Sequence, residues 1–267
     1  MVKIHPTAVV DSKAELADSV EIGPFCTIGP HVKMEQGCRV ISHAVCDGHT
    51  EIGKNCVIYP FATIGTASQA IRSLTNEGKL IIGENNTFRE GCSVHVGGSD
   101  DDDNVTKIGD NNWFLAYTHI AHDCKLGSGI VMSNNASLAG HVIVEDKAII
   151  GGMSGVLQFT HIGTGCMIGA MSGITKDVIP YGLVMGGVRT GLDGLNLIGL
   201  QRAGVSKEEI LLLQKAYKAL FNKENGTFAT RVEQVAAQEE FKNNAKIQHI
   251  IEFIRNPSRN NILQPSF

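Results

Sequence analysis

The chain has 267 residues, with 23 Lys and Arg against 27 Asp and Glu and a hydrophobic fraction of 43%. Neither the opening MVKIHPTAVV nor any later stretch resembles a signal peptide or reaches the ~18 apolar residues of a membrane span. This near-neutral composition favours a cytoplasmic protein with no membrane insertion and no nucleic-acid partner.

An apolar residue recurs at every sixth position from Ile4 onward, in series that run over residues 4–64, 82–94 and 108–174. Twelve unbroken matches, as in the third series, would arise by chance about four times in 100,000. Glycine often follows the apolar residue, and the fifth position of each hexad is usually small. The pattern predicts an all-β solenoid in which a hexad is one short strand and a turn, and in which three hexads close a triangular coil.

The seven cysteines fit this repeat. Six occupy the fifth position of a hexad and one occupies the first: Cys26, Cys38, Cys56, Cys92, Cys124, Cys166 and, in the first position, Cys46. An odd number argues against a disulfide framework. We therefore expect the cysteines to be small hydrophobic core residues without a redox or metal role.

Two insertions interrupt the repeat, near residues 70–81 and 99–107, and the second contains the acidic run Asp100–Asp103. Counting hexads in threes predicts that both insertions leave the same corner of the solenoid. His122 falls on that corner, one or two coils further along. Loops on a rigid scaffold commonly carry functional sites, so this corner is the predicted functional side.

The stretch THIAHDCKLG contains two histidines and an aspartate at this corner. Stepping by one coil of about 18 residues sets neighbours a strand spacing of ~4.8 Å apart. The register then gathers a polar cluster of His119, His122, Asp123, His141 and Gln158, with Gly140 stacked beside His122.

Two functional interpretations of the cluster stay open alongside a purely structural one. Neutral imidazoles are common zinc ligands, but His-x-x-His on a flat solenoid face does not fix a tetrahedral site. A histidine oriented by a carboxylate is also a suitable general base at neutral pH. Because Cys124 is predicted to point inward, the general-base interpretation favours direct transfer without a covalent enzyme intermediate.

The six-residue period ends before residue 189, and helical spacing follows. Ser206 and Glu209 form a predicted capping box. Apolar stripes then predict three helices, marked by Ile210, Leu213, Tyr217, Leu220 and Phe221, by Val232, Val235 and Ala236, and by Ile247, Ile250, Ile251 and Ile254. Residues 200–267 carry three excess basic groups, whereas residues 1–199 carry seven excess acidic groups. This charge split favours an acidic partner near the C-terminal part.

Several local strings resemble the UDP-N-acetylglucosamine O-acyltransferases that begin lipid A synthesis, within the hexapeptide-repeat acyltransferase superfamily. They are IHPTAVV, IGPFCTIGPHV, IAHDCKLGSG, NNASLAGHVIVEDKAIIGGMSGVLQF and LNLIGLQRAGVS. The resemblance implies a left-handed parallel β-helix over residues 1–188 and a small C-terminal α-helical domain over residues 189–267. It also implies a homotrimer with active sites between subunits.

The same resemblance implies transfer of an acyl chain, expected to be 3-hydroxyacyl, from acyl carrier protein to the 3-position of UDP-N-acetylglucosamine. His122 would be the general base, Asp123 its orienting partner and Gly140 the oxyanion donor. The implied substrate-binding residues are Gln69, Arg72, His119, His141, Gln158, Asn196 and Arg202. Ala170 would limit the acyl length, and no metal or cofactor is implied. A basic face for the carrier protein would come from Arg202, Lys207, Lys215 and Lys218.

Four positions depart from the family pattern: Ala70, Arg72, Leu157 and Ala203. Ala70 and Leu157 stand where an acidic residue and a histidine are common, so two polar partners of the sugar are missing. A 3-amino sugar nucleotide, giving an amide, is therefore an alternative acceptor. A zinc-dependent carbonic anhydrase of the same solenoid class is a more remote alternative. The acyl length, its hydroxylation and the source organism are not determined by the sequence.

Overall fold

The computed structural model describes residues 1–71, 78–98, 104–187, 190–224 and 226–265. Within these residues the chain forms 28 short β-strands followed by five helices. The strands build three sheets that are the sides of a left-handed parallel β-helix, and the helices pack at its C-terminal end. The predicted fold class is confirmed. The predicted domain boundary, between residues 188 and 189, lies outside the described residues.

Each sheet takes one strand from successive coils, and its strands follow one another along the solenoid in chain order; the last strand of sheet A is an addition that pairs antiparallel with the strand before it. Sheet A contains β1 (Lys3–Ile4), β4 (Glu21–Ile22), β7 (Arg39–Val40), β10 (Val57–Ile58), β13 (Thr87–Phe88), β16 (Trp113–Phe114), β19 (Val131–Met132), β22 (Ile149–Ile150), β25 (Met167–Ile168), β27 (Gly182–Val184) and β28 (Gly194–Leu195). Sheet B contains β2 (Val9–Val10), β5 (Thr27–Ile28), β8 (Val45–Cys46), β11 (Thr63–Thr66), β14 (Ser93–His95), β17 (His119–Ile120), β20 (Ser137–Leu138), β23 (Gly155–Val156) and β26 (Gly173–Ile174). Sheet C contains β3 (Glu15–Leu16), β6 (Val32–Met34), β9 (His49–Ile52), β12 (Lys79–Ile82), β15 (Val105–Ile108), β18 (Lys125–Leu126), β21 (Ile143–Val144) and β24 (His161–Ile162).

Successive coils stack in strict register along sheet B. His119 lies opposite Ser137, Ser137 opposite Gly155, and Gly155 opposite Gly173, so each coil takes 18 residues. Both insertions fall between a sheet B strand and the next sheet C strand, after β11 and after β14. The corner after β17 holds His122, so the predicted sharing of one corner is confirmed.

The core is a column of inward-pointing hexad residues. All seven cysteines are buried and free, as predicted. Burial raises the pKa of Cys92 and that of Cys124 to about 12, which keeps both groups as thiols at neutral pH. The first coil is the exception, because no coil covers its open end and Ile4 remains 48% exposed.

The helices are α1 (Leu197–Arg202), α2 (Lys207–Phe221), α3 (Phe228–Ala237), α4 (Glu239–Lys242) and α5 (Ala245–Arg255). The three predicted helices correspond to α2, α3 and α5, and two short helices were missed. Ser206 caps α2 by accepting the Glu209 N–H at 3.1 Å. The reciprocal half of the predicted capping box is wrong, because the Glu209 carboxylate binds Lys246 of α5 at 3.0 Å instead. No described helix is long and apolar enough to cross a membrane.

Glu145 joins the solenoid to the helical domain. One carboxylate oxygen lies 2.9 Å from His161 Nε2 of β24, and the other lies 3.1 Å from His249 Nε2 of α5. Thr164 donates its backbone N–H and its hydroxyl to the same carboxylate. Burial alone would raise the pKa of Glu145, but these histidine and threonine interactions outweigh burial and hold the pKa below its ordinary value. The interaction with Glu145 raises the pKa of His249.

The His249–Glu145 pair should make stability depend on pH. Because the folded-state pKa of His249 is raised, its contribution is fully present below the unfolded value of about 6.5 and is lost as pH rises through the folded value. We expect His249→Gln to lower the melting temperature most near pH 5.5 and least near pH 8.5, where Glu145 is ionised throughout. Thermal unfolding of both proteins across this range measures the difference. A constant difference at all pH values would contradict the assignment.

Candidate active site

His122 and Asp123 sit in the turn that follows β17, and both are buried. His122 Nδ1 lies 2.7 Å from Asp123 Oδ2. Asp123 has a φ of 59°, a left-handed conformation that aspartate tolerates better than most residues. The turn therefore directs the carboxylate back onto the ring of the preceding residue.

The Asp123 carboxylate is fixed by the two segments beside it. The backbone N–H of Asp123 donates to Thr106 Oγ1 at 2.8 Å, and the Gly98 N–H donates to the Asp123 carboxylate at 3.2 Å. Burial would raise the pKa of Asp123, but the hydrogen bonds from His122 and Gly98 and the charge of His141 outweigh it and lower the pKa. An ionised carboxylate only accepts, so the neutral His122 ring carries its proton on Nδ1 and keeps the lone pair on Nε2.

Gly140 faces that lone pair from the next coil. A Cβ on Gly140 would lie 2.6 Å from His122 Nε2, so only glycine fits against the ring. Among the described residues, no backbone carbonyl or side chain accepts the Gly140 N–H. The stack of these two residues, predicted from the 18-residue register, is confirmed.

His119 lies on the sheet B face beside His122. A 2.7 Å hydrogen bond joins its Nδ1 to Ser93 Oγ, and Gln69 Nε2 lies 3.3 Å from its Nε2. An amide nitrogen only donates, so His119 Nε2 accepts and Nδ1 carries the proton. Burial, and then the nearby His122, lower the pKa of His119 and keep the ring neutral.

His95 is a site residue that the sequence did not reveal. It ends β14, its ring lies 4.8 Å from that of His119, and its side-chain Nδ1 is buried with no hydrogen-bond partner among the described residues. Burial, together with His119 and His122, lowers the pKa of His95 to about 4. Hexad counting through the second insertion would have placed His95 beneath Ala121, next to the predicted base.

A cleft of about 660 Å³ opens along this corner and along sheet B. Five predicted site residues line it: Gln69, His119, His122, Gly140 and Gln158. The departures Ala70 and Leu157 line it as well. Gly155 and Gly173 form a stretch where an added Cβ would meet nothing within 4 Å. The cleft thus joins a polar end at His122 to a smooth end that suits an alkyl chain.

Other predicted residues do not line this cleft. His141 stands behind the pair, with Nε2 3.7 Å from Asp123 Oδ2. Ala170 lies in the turn before β26, and Arg202 is exposed on α1. Asn196 caps α1 through its side-chain oxygen and donates its amide to Gly165 O. Arg72 lies outside the described residues.

The ligand atoms of His122, Asp123 and His141 lie within 4.8 Å of one another, so this group could hold a metal ion. Such an ion would have to compete with the 2.7 Å hydrogen bond that orders the His122 ring. Of the basic residues expected to face an acidic partner, Lys215 is already paired with Glu240 at 2.7 Å.

Comparisons with known proteins agree on one family. A family profile described as "Udp N-acetylglucosamine O-acyltransferase; Domain 2" matches residues 177–262. A Rhizobium johnstonii protein named acyl-[acyl-carrier-protein]--UDP-N-acetylglucosamine O-acyltransferase is 41% identical over 99% of this chain and 95% of its own. A Thermodesulfovibrio yellowstonii protein of the same name is 45% identical over 95% of this chain and 96% of its own.

Solved structures give the same result. The UDP-N-acetylglucosamine acyltransferase of Francisella novicida superposes with a TM-score of 0.92 at 33% identity, covering 100% of this chain and 95% of that one. The Campylobacter jejuni enzyme superposes with a TM-score of 0.89 at 33% identity, covering 98% and 99%.

The buried position of His95 gives a spectroscopic prediction. In a histidine NMR titration of the folded protein, with the signal assigned by His95→Asn, we expect His95 to stay neutral from pH 8 to pH 5. In urea the same residue should titrate near its ordinary value of about 6.5. Protonation of His95 in the folded protein above pH 6 would contradict the described environment.

Proposed function

Because the chain belongs to the family of UDP-N-acetylglucosamine O-acyltransferases, we propose that it transfers an acyl chain from acyl carrier protein to the 3-hydroxyl of UDP-N-acetylglucosamine in lipid A biosynthesis. The observation that carries the proposal is the buried His122–Asp123 pair facing Gly140 in the cleft. The acyl donor arrives already activated as a thioester, so the proposed reaction needs no cofactor on this chain. The proposal keeps the cytoplasmic location that the composition predicts.

His122 acts as the general base in the proposed mechanism. Its Nε2 takes the proton of the sugar 3-hydroxyl as the oxygen attacks the thioester carbonyl carbon. The tetrahedral intermediate then collapses, the carbon–sulfur bond breaks, and the leaving thiolate recovers the proton from Nε2. Asp123 keeps the ring in the required tautomer and stabilises the imidazolium that forms between the two steps.

Gly140 supplies the oxyanion donor. Gly140 packs against the His122 ring, and its N–H has no acceptor among the described residues, so this N–H is available to the carbonyl oxygen as negative charge develops. One such donor typically contributes about 3 kcal/mol to transition-state stabilisation. The alkyl chain would then extend over Gly155 and Gly173, and Ala170 stays a predicted limit to its length.

A homotrimer is proposed because one chain presents an open and incomplete site. Leu157 lines the cleft and exposes 49% of its surface, and Met153 and Met171, two residues before the cleft-lining Gly155 and Gly173, expose 62% and 69%. Asn196 and Arg202, which resemble nucleotide-binding residues of the family, do not line the cleft of their own chain. A neighbouring subunit that supplies Arg202 would cover the apolar flank and complete the site. The exposed Lys207 and Lys218 would remain for the acidic carrier protein.

The names of the relatives favour the hydroxyl sugar over the 3-amino sugar. Ala70 and Leu157 line the cleft and are apolar where polar partners of the sugar are expected, so the identity of the acceptor sugar has to be measured. Purified protein should therefore be assayed with 3-hydroxyacyl-carrier proteins of several lengths and with both sugar nucleotides. Formation of the ester at the higher kcat/KM is the expected result, and exclusive amide formation would overturn the choice of acceptor.

Substitution of the catalytic pair tests the mechanism. We expect His122→Ala to lower kcat about 10³-fold because it removes the base. Asp123→Asn should lower kcat about 10²-fold because it removes the carboxylate that orients the base. His5→Ala, on the exposed N-terminal coil, is the matched control and should leave kcat unchanged. Circular dichroism checks that each variant is folded. Full activity of folded His122→Ala would contradict the mechanism. A requirement for stoichiometric zinc in turnover would favour the metal-dependent alternative.

Subunit mixing tests the shared site. His122→Ala and Arg202→Ala should each be weak alone, but co-expressed chains should regain activity, since some interfaces combine an intact His122 with an intact Arg202. Sedimentation should give three chains per particle. A monomer in sedimentation, or no recovery in the mixed protein, would contradict the trimeric arrangement.

A further inference from the structure

The C-terminal tail, Pro257–Pro265, leaves the helical domain and returns to the catalytic corner of the solenoid. Its anchor is Asp177, whose fully buried carboxylate accepts the backbone N–H of Ser258 at 2.6 Å and the Ser258 hydroxyl at 2.5 Å. Asp177 also pairs with Ile262 in a parallel bridge. The tail is thus held as an added segment beside the last coil.

A second anchor lies on the other side of Arg259. The Asn260 amide donates to Gln158 O at 2.7 Å and to Thr160 Oγ1 at 3.0 Å. Gln158 lines the cleft, so the tail is attached directly to its wall. With Ser258 and Asn260 both fixed, the backbone position of Arg259 is fixed as well.

Arg259 lies at the end of a column of rings that leads to the proposed base. Its Cζ lies 4.3 Å from the centroid of Phe159. Phe159 stacks on His141 at 4.6 Å, and His141 meets His122 edge-on at 5.2 Å. The column follows from the 18-residue register, since Asp123, His141 and Phe159 occupy equivalent left-handed turn positions in successive coils.

The guanidinium has its donors available. Among the described residues, the contact of the Arg259 guanidinium is the one with Phe159, and no carboxylate lies within ion-pair distance of it and no group accepts a hydrogen bond from it. A cation–π contact uses the face of the group and contributes only about 0.5–1 kcal/mol at an exposed site. The five N–H donors at the edge, which match phosphate geometry, are left for a ligand.

We propose that Arg259 is a phosphate-binding residue of the active site, set over Phe159 by the tail. The proposal rests on the proposed function, whose two substrates both carry phosphate: the diphosphate of the sugar nucleotide and the phosphodiester of the donor's phosphopantetheine arm. Three successive contacts, Arg259 to Phe159, Phe159 to His141 and His141 to His122, separate Arg259 from the proposed base. In the nucleotide the diphosphate is only a few bonds from the reacting hydroxyl, whereas the full pantetheine arm separates thioester and phosphate, so the spacing favours the donor.

Paired donors test this assignment. The wild type, Arg259→Gln and Arg259→Lys are assayed on 3-hydroxyacyl-4′-phosphopantetheine and on 3-hydroxyacyl-pantetheine, which lacks the phosphate. A charge-assisted hydrogen bond makes about a tenfold preference for the phosphorylated donor the expected wild-type result. Arg259→Gln should remove the preference without changing kcat/KM for the unphosphorylated donor, and Arg259→Lys should keep part of it. Arg255→Gln, whose arginine pairs with Glu233, is the matched control.

The other outcomes are equally specific. If Arg259→Gln keeps the donor preference but raises the KM for UDP-N-acetylglucosamine and the Kd for UDP by the same factor, the bound phosphate is that of the nucleotide. An unchanged donor ratio and unchanged nucleotide constants would overturn the proposal, as would an equal loss on every substrate. Melting temperatures identify variants with a loosened tail, and Phe159→Leu, which removes the ring but keeps an apolar side chain, should reproduce part of the effect.

Failure of the proposed function is distinguishable from failure of this inference. A wild type that transfers no acyl group from carrier protein to either sugar would refute the proposed function alone. Calorimetric titration of wild type and Arg259→Gln with UDP and with 4′-phosphopantetheine would still measure phosphate binding. Equal affinities of the two proteins for both probes would then reject the role of Arg259.

Discussion

The structure depends on the in-register pairing of successive coils. In a parallel β-helix every strand must hydrogen-bond to the equivalent strand of the next coil, 18 residues away where no insertion intervenes, and must also keep its apolar side chains inside the prism. A shift of one residue would turn the inward set outward, so strand length and register are fixed together. Extra residues are accommodated only where they leave the ladder intact, which is at the corners. Both insertions use the corner that carries His122.

This constraint also builds the site. A turn position in one coil lies over the equivalent turn position of the next, so Asp123 and His141 become neighbours although 18 residues separate them. The same stacking sets Gly140 against the His122 ring, where the absence of a side chain leaves space for the lone pair and for a backbone donor. A rigid ladder therefore holds the proposed base, the carboxylate that hydrogen-bonds to it and the backbone of Gly140 in fixed relation.

The pKa shifts at the corner that carries His122 favour neutral histidine rings beside an ionised Asp123. The pKa values of His95 and His119 are lowered by burial and by neighbouring histidines, so both rings are neutral at neutral pH beside the proposed base His122. Asp123 is the ionised group in contact with His122, and its pKa is lowered by the hydrogen bonds it accepts. Asp123 is thus placed to stabilise a proton gained by His122, while the neutral His95 and His119 rings add polarity nearby.

The hexad pattern by itself determined the solenoid, the inward cysteines, the common corner of the insertions and the stacking of Gly140 on His122, because a fixed period leaves only one register. Local helix signals likewise determined α2, α3 and α5. Only the tertiary structure placed Glu145 against His249, Arg259 over Phe159 and the buried His95 ring beside His119. Counting hexads across the second insertion would have placed His95 beneath Ala121, but it would not have shown that the side chain is buried without a partner. The contacts of Glu145 and Arg259 depend on segments that meet across the domain junction, where no period relates one residue number to the next. For the same reason the sequence assigned the Glu209 side chain to its own helix cap, whereas packing of α5 against α2 brought Lys246 to it.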